Sequence, residues 1–165
     1  MASHQLESFS CGEENLDKWV REKVQKDCAC GACRAHFCLD SSNEIVAFFT
    51  LSGASVKPVS LPNKHRGGIG GDIPAVLIGR LGVRSNLRGN GYGVDVLNHA
   101  LKMACEASNV IGFRLITLEA KNENLVAWYK SYGFASLPGN RLKMVMAIKE
   151  ARAIISSHGA GYYMF

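Results

Sequence analysis

The residues with the clearest chemical meaning are Arg88-Gly-Asn-Gly-Tyr-Gly93, directly after the apolar run Val76-Leu-Ile-Gly-Arg-Leu-Gly-Val83. A buried strand running into a glycine-rich turn that opens a helix is a device for holding an anion. The first helical turn has free backbone N–H groups and a partial positive charge. Glycines let that backbone come close to a phosphate or diphosphate. A P-loop would need Gly-Lys-Ser/Thr, and Gly93 is followed by Val94. A Rossmann turn needs G-x-G-x-x-G, and here the third glycine of Gly89, Gly91 and Gly93 comes one residue early. The pattern Q/R-x-x-G-x-G/A is met in full by Arg88, Gly91 and Gly93. A glycine-rich turn without a ligand remains the bland alternative.

A second set of residues stands downstream: Asn122, Tyr129, Gly133 and Phe134. The two sets, in this order and spacing, resemble the acetyl-CoA motifs of the GNAT acetyltransferases. Leu125, where that family often carries Ala, is a packing change. A narrower resemblance covers most of the chain. Phe9-Ser-Cys-Gly-Glu-Glu-Asn-Leu-Asp-Lys-Trp19 and Ile73-Pro-Ala-Val-Leu-Ile-Gly-Arg-Leu-Gly-Val83 look like segments of TacT-like GNAT toxins from bacterial toxin–antitoxin pairs. That resemblance implies acetyl transfer to the α-amine of aminoacyl-tRNA, with translation blocked. It also implies a ribbon–helix–helix antitoxin as partner and leaves a homodimer open. The alternative acceptor is a protein or small-molecule amine, and a non-catalytic acyl-CoA-binding module is the third reading. The chain departs from the toxins in the glycine-rich stretch Gly67 to Gly71 and in the tail after Ile148.

The resemblance also assigns roles. The backbone of Leu81, Gly82 and Val83 is expected to pair with the pantetheine arm of acetyl-CoA. The N–H groups around Arg88, Gly89, Asn90, Gly91, Tyr92, Gly93 and Val94 are expected to hold the diphosphate. Asn122 is expected beside the cofactor arm; on its own it reads as a helix cap, and the two roles are compatible. Tyr129 is expected to touch the cofactor and to be the general acid; without the resemblance it reads as a core tyrosine. A reference thiol has a pKa of about 8.5 and a reference tyrosine about 10, so a neutral Tyr129 hydroxyl can help discharge a CoA thiolate. An α-amine, with a pKa of about 7.7–8.0, needs no strong base, whereas a lysine at about 10.4 does. Glu119 and Glu123 are the carboxylates near the site, and each reads more readily as solvated or structural.

Arg80 interrupts an apolar strand, so it must either pair with a carboxylate or face the substrate cleft. The toxin resemblance favours the cleft, against RNA phosphate. Lys64 and Arg66, with Lys57 and His65, lie in a long loop and could extend that basic surface; a solvated mobile loop is the competing reading.

These residues need elements to place them. Glu13 to Lys26 reads as a helix, with Leu16, Trp19, Val20 and Val24 at helical spacing. Strands are expected at Arg34 to Asp40, Glu44 to Ser52, Val76 to Arg84, Phe113 to Ala120 and Leu142 to Ile148. The segment Gly53 to Pro74 reads as a long loop. Helices are expected from Gly91 to Ser108 and Asn122 to Tyr132, the latter ended by Gly133. The tail from Lys149 shows a short helical pattern, then Gly159-Ala-Gly161 and an aromatic end. The order is that of a single α/β (α+β) domain; the resemblance implies a GNAT fold, with a mixed central sheet flanked by helices. We take residues 1–148 as that domain and 149–165 as an extension.

The 165 residues suit one domain, and 47 % apolar content excludes a disordered chain. The formal charge of +5 favours anionic partners. No apolar stretch follows Met1-Ala-Ser-His-Gln and none is long enough to span a bilayer, so a cytoplasmic protein is expected with no membrane partner. Its six cysteines are then expected to be mostly reduced. Cys28-Ala-Cys30-Gly-Ala-Cys33 lacks the paired spacings of a four-ligand zinc site, so no metal is expected there.

Overall fold

The computed structural model describes residues 3–66 and 71–157. Six strands form one mixed sheet in the order β1-β2-β3-β4-β6-β5, flanked by helices. The chain falls into two compact units. Among the described residues one comprises residues 3–52 and 80–100, the other 53–66, 71–79 and 101–157.

In the first unit, α1 (Ser3–Ser8), α2 (Glu14–Glu22) and α3 (Val24–Ala29) precede β1 (Arg34–Leu39), which pairs antiparallel with β2 (Ile45–Val56). The single helix expected from Glu13 to Lys26 is broken at Lys23, whose φ of −124° and ψ of −24° leave the helical region. The reason lies in the core. Trp19 and Val24 are both buried, yet on a straight helix they would point about 140° apart. The break turns both inward, and the Trp19 indole N–H donates to Asp27 Oδ2 across it at 2.7 Å. Phe48 sits at the centre of this core, edge-on to Phe9 and stacked on Trp19.

The second unit holds most of β3 (Ile73–Val83), β4 (Leu115–Glu119), α5 (Glu123–Ser131), β5 (Ala135–Leu137), β6 (Asn140–Ala147) and α6 (Ile148–Ser157). β3 and β4 are parallel, in register from Ala75 opposite Leu115 to Ile78 opposite Leu118. β4 pairs antiparallel with β6, and β6 with β5. The expected long loop after Gly53 is largely ordered. β2 runs on to Val56, and two 3₁₀ turns follow, Pro58–Ser60 and Asn63–His65. Leu61 and Ile73 anchor them in a core with Val56, Ala75, Leu115, Leu137 and Val145. The helical pattern of the tail is α6, whose Glu150 accepts a hydrogen bond from the Ala147 N–H at 3.0 Å. Of the Gly67 to Gly71 stretch, residues 67–70 lie outside the described residues, as do Gly159-Ala-Gly161 and the aromatic end.

Candidate active site

The anion turn is built as its glycines require. Gly89 and Gly91 take φ of 82° and 89°, a region in which L side chains are strained. A Cβ built on either would meet nothing within 4 Å, so the space over the turn is open. Among the described residues none accepts a hydrogen bond from the N–H of Gly89, Asn90 or Gly91, and all three residues are exposed. α4 (Tyr92–Ala107) then begins, with the Val94 N–H bonded to the Gly91 carbonyl. Free donors converge with a helix N-terminus, which fits a diphosphate. The Arg88 guanidinium does not reach over this space; it donates to the Cys11 carbonyl.

Leu81, Gly82 and Val83 lie on β3 beyond Ile78, where the ladder to β4 ends. Among the described residues no strand pairs with that edge, so an extended ligand arm can pair there. Gly82 has a second role that sequence reasoning missed. A Cβ there would lie 2.7 Å from the Phe48 ring, so only glycine lets β3 pass the core.

Arg80 pairs with no carboxylate among the described residues. Its guanidinium lies 4.2 Å from the centroid of the Trp19 ring, a cation–π contact, and its N–H donates to Thr50 Oγ1. Trp19 had read only as part of a core stripe; no spacing rule links it to residue 80.

In the second unit, Asn122 caps α5: its Oδ1 accepts from the Leu125 N–H at 3.0 Å. Gly133 ends the helix with φ of 94°. Tyr129 is 8 % exposed and set among Trp128 and Phe134. Burial pushes its phenol up to about 12, and among the described residues its hydroxyl has no hydrogen-bond partner. The phenol therefore stays protonated near neutral pH, and among the described residues no acceptor competes for its proton.

The remaining charged residues are engaged elsewhere or open to solvent. Glu123 pairs with Arg141 at 3.1 Å on the surface, and Glu119 is exposed at the end of β4. Lys64 pairs with Glu150 at 3.2 Å. Arg66 donates to the Leu61 carbonyl at 2.8 Å and the Val59 carbonyl at 3.4 Å. His65 is buried between them, and burial holds its imidazole below the ordinary value. Lys57 is exposed. All six cysteines are free thiols.

Comparisons with known proteins bear on this geometry. The acetyltransferase (GNAT) family model matches residues 2–134, a span that includes both the Arg88–Gly93 turn and Asn122–Phe134. A tRNA-acetylating toxin of Mycobacterium tuberculosis (strain ATCC 25618 / H37Rv) is 30% identical over 148 residues, covering 90% of this chain and 89% of the toxin. The structure of AtaT complexed with acetyl-methionyl-tRNAfMet matches with a TM-score of 0.83 at 27% identity, covering 90% of this chain and 91% of that one. A mutant AtaT toxin bound to the C-terminus of the antitoxin AtaR and acetyl-CoA matches with a TM-score of 0.77 at 26% identity, covering 92% and 90%.

Proposed function

This chain belongs to the acetyltransferase (GNAT) family, and from that premise we propose that it is a toxin that acetylates the α-amine of aminoacyl-tRNA, blocking translation. Acetyl-CoA is the co-substrate. The observation that carries the acceptor is the likeness, over nine-tenths of both chains, to a tRNA-acetylating toxin. It is supported by the likeness to AtaT in complex with acetyl-methionyl-tRNAfMet.

In this reading the amides of Gly89 to Gly91 bind the diphosphate. The free edge of Leu81 to Val83 aligns the pantetheine arm, with Asn122 beside it. Alignment of the thioester against the amine supplies the effective concentration. The amine nitrogen attacks the carbonyl carbon, the C–S bond breaks, Tyr129 delivers its proton to the departing sulfur, and the proton shed by the acylated nitrogen returns to the phenolate through solvent, restoring Tyr129. The α-amine of an amino-acid ester is already largely neutral near neutral pH, because the ester withdraws electrons. No dedicated base is then required, in keeping with Glu123 being tied to Arg141.

The partners in this reading are aminoacyl-tRNA and a ribbon–helix–helix antitoxin, with a homodimer as the assembly to test. No described helix is long and apolar enough to cross a membrane; the proposed substrate places the enzyme in the cytoplasm. Residues 1–148 form the catalytic domain and 149–165 its extension.

Salt dependence tests the acceptor. Binding of charged tRNA must release counterions, so kcat/KM for charged tRNA falls steeply as salt rises, while that for a small amine does not. A flat salt response for every acceptor that turns over would instead support the generic acetyltransferase. Arg80→Ala is expected to lower acetylation of charged tRNA far more than it weakens acetyl-CoA binding.

A further inference from the structure

The N-terminal segment makes an unusual set of bonds to the strand-to-helix turn. Asp17, on α2, is 4 % exposed, and among the described residues it pairs with no cation. Its Oδ2 accepts from the Ser10 hydroxyl at 2.7 Å, and its Oδ1 from the Cys11 N–H at 2.8 Å and the Cys11 thiol at 3.0 Å. Burial alone would raise this carboxyl, but the bonds from Cys11 and Ser10 outweigh it and hold it below its ordinary value. The same burial, with Asp17 beside it, pushes the Cys11 thiol up to about 11, so that thiol serves as a donor and not as a nucleophile. A buried carboxylate satisfied only by one short turn fixes that turn.

The turn then passes the constraint on. The Ser10 carbonyl accepts from the Ser85 N–H at 3.0 Å, and the Cys11 carbonyl from the Arg88 guanidinium. Gly12, with φ of 77°, lies against both: a Cβ there would be 3.6 Å from Ser85 Cβ and 3.7 Å from Arg88 Nη2. Ser85 and Arg88 bracket the short 3₁₀ turn from which Gly89, Asn90 and Gly91 emerge.

We propose that Asp17 is a positioning residue for the diphosphate turn. Acting through Ser10, Cys11 and the Arg88 side chain, it sets where the Gly89–Gly91 amides point; the Arg88 guanidinium is an anchor on a carbonyl and not a phosphate ligand. The inference rests on the reading that this turn holds acetyl-CoA.

The test compares two acyl donors, acetyl-CoA and S-acetyl-pantetheine, which lacks the diphosphate and nucleotide. Asp17→Asn is expected to raise KM for acetyl-CoA about tenfold, the scale of one charge-assisted hydrogen bond, with kcat nearly unchanged. KM for S-acetyl-pantetheine should stay at the wild-type value. An equal rise for both donors, or for neither, overturns the proposal. A urea midpoint checks that the variant is folded. Should it fail to fold, the exposed Arg88 gives the second arm. Arg88→Ala is expected to raise KM for acetyl-CoA about tenfold, and Arg88→Gln to recover most of that loss through its neutral N–H donor. A glutamine variant as weak as the alanine one would mean that phosphate is read by charge, which contradicts the anchor. Absence of acetyl-CoA binding by the wild-type protein in calorimetry would instead sink the acetyltransferase site itself.

Discussion

The Arg88–Gly93 turn and the Asn122–Phe134 segment solve opposite problems by opposite means. The turn works with backbone: Gly89 and Gly91 are exposed, and among the described residues nothing accepts from the N–H groups of Gly89, Asn90 and Gly91 and no side chain lies within 4 Å of a Cβ built on either glycine. The α5 segment works with one side chain: Tyr129 is buried among aromatic rings, and its phenol is pushed up to about 12 by that burial. An anion is bound best by many fixed dipoles that need no protonation, whereas a departing thiolate needs one proton held ready. Binding and proton delivery should therefore fail separately.

The largest effect expected is on the turn. Gly91→Glu places bulk and negative charge where phosphate must approach, and acetyl-CoA affinity should fall below detection in calorimetry. The Cβ itself has room, so the fold survives, with backbone strain of about 1–3 kcal/mol from the positive φ. Unchanged affinity would remove the turn from the site.

Next comes Tyr129→Phe. It removes a hydroxyl and leaves the ring packing, so stability should stay within about 1 kcal/mol of wild type. Turnover should fall about 10²–10⁴-fold, the usual worth of general acid help. Full activity in the phenylalanine variant would return Tyr129 to the core.

The raised phenol gives a pH test of the same contrast. Because Tyr129 stays protonated until about pH 12, kcat should not decline as pH rises toward the ordinary tyrosine value of 10.0. The linkage to stability has the opposite consequence. Above about pH 10 the unfolded chain can ionise this tyrosine and the folded chain cannot, so stability is lost as pH climbs from there toward 12. A loss of kcat centred near pH 10 that vanishes in the phenylalanine variant would show an ordinary, solvated phenol.

The smallest effect separates two kinds of glycine. Gly89 and Gly91 are open above, but Gly82 is closed in by Phe48, itself packed against Phe9 and Trp19. Gly82→Ala should cost about 1–3 kcal/mol in urea unfolding through overpacking. A neutral result would mean that the Phe48 ring can move aside.

Features set by local rules were readable in the sequence. The strand–turn–helix unit, the Asn122 cap and the Gly133 terminus each depend on residues a few positions apart, and the structure has all three. What depended on distant partners was not readable. Arg80 had to find a partner, but that it would be Trp19 follows from how α2 packs. Lys64 showed its charge and not its partner Glu150, 86 residues away. β5, three residues long, is too short for an alternating pattern, and the break at Lys23 answers to the core and not to a helix-stop residue. In the N-terminal segment Asp17 stands outside the apolar spacing of its helix, and yet it is buried beneath the turn it organises.

The central claim is that acetyl leaves acetyl-CoA for the amine of a charged tRNA. Its most direct test mixes the purified protein, labelled acetyl-CoA and a pool of charged tRNAs. Copper treatment then strips unprotected amino acids, and the surviving products are analysed. The expected result is labelled N-acetyl-aminoacyl-tRNA, absent with Tyr129→Phe on the same timescale. Label that reaches free amines or protein, and never any charged tRNA, would contradict the account.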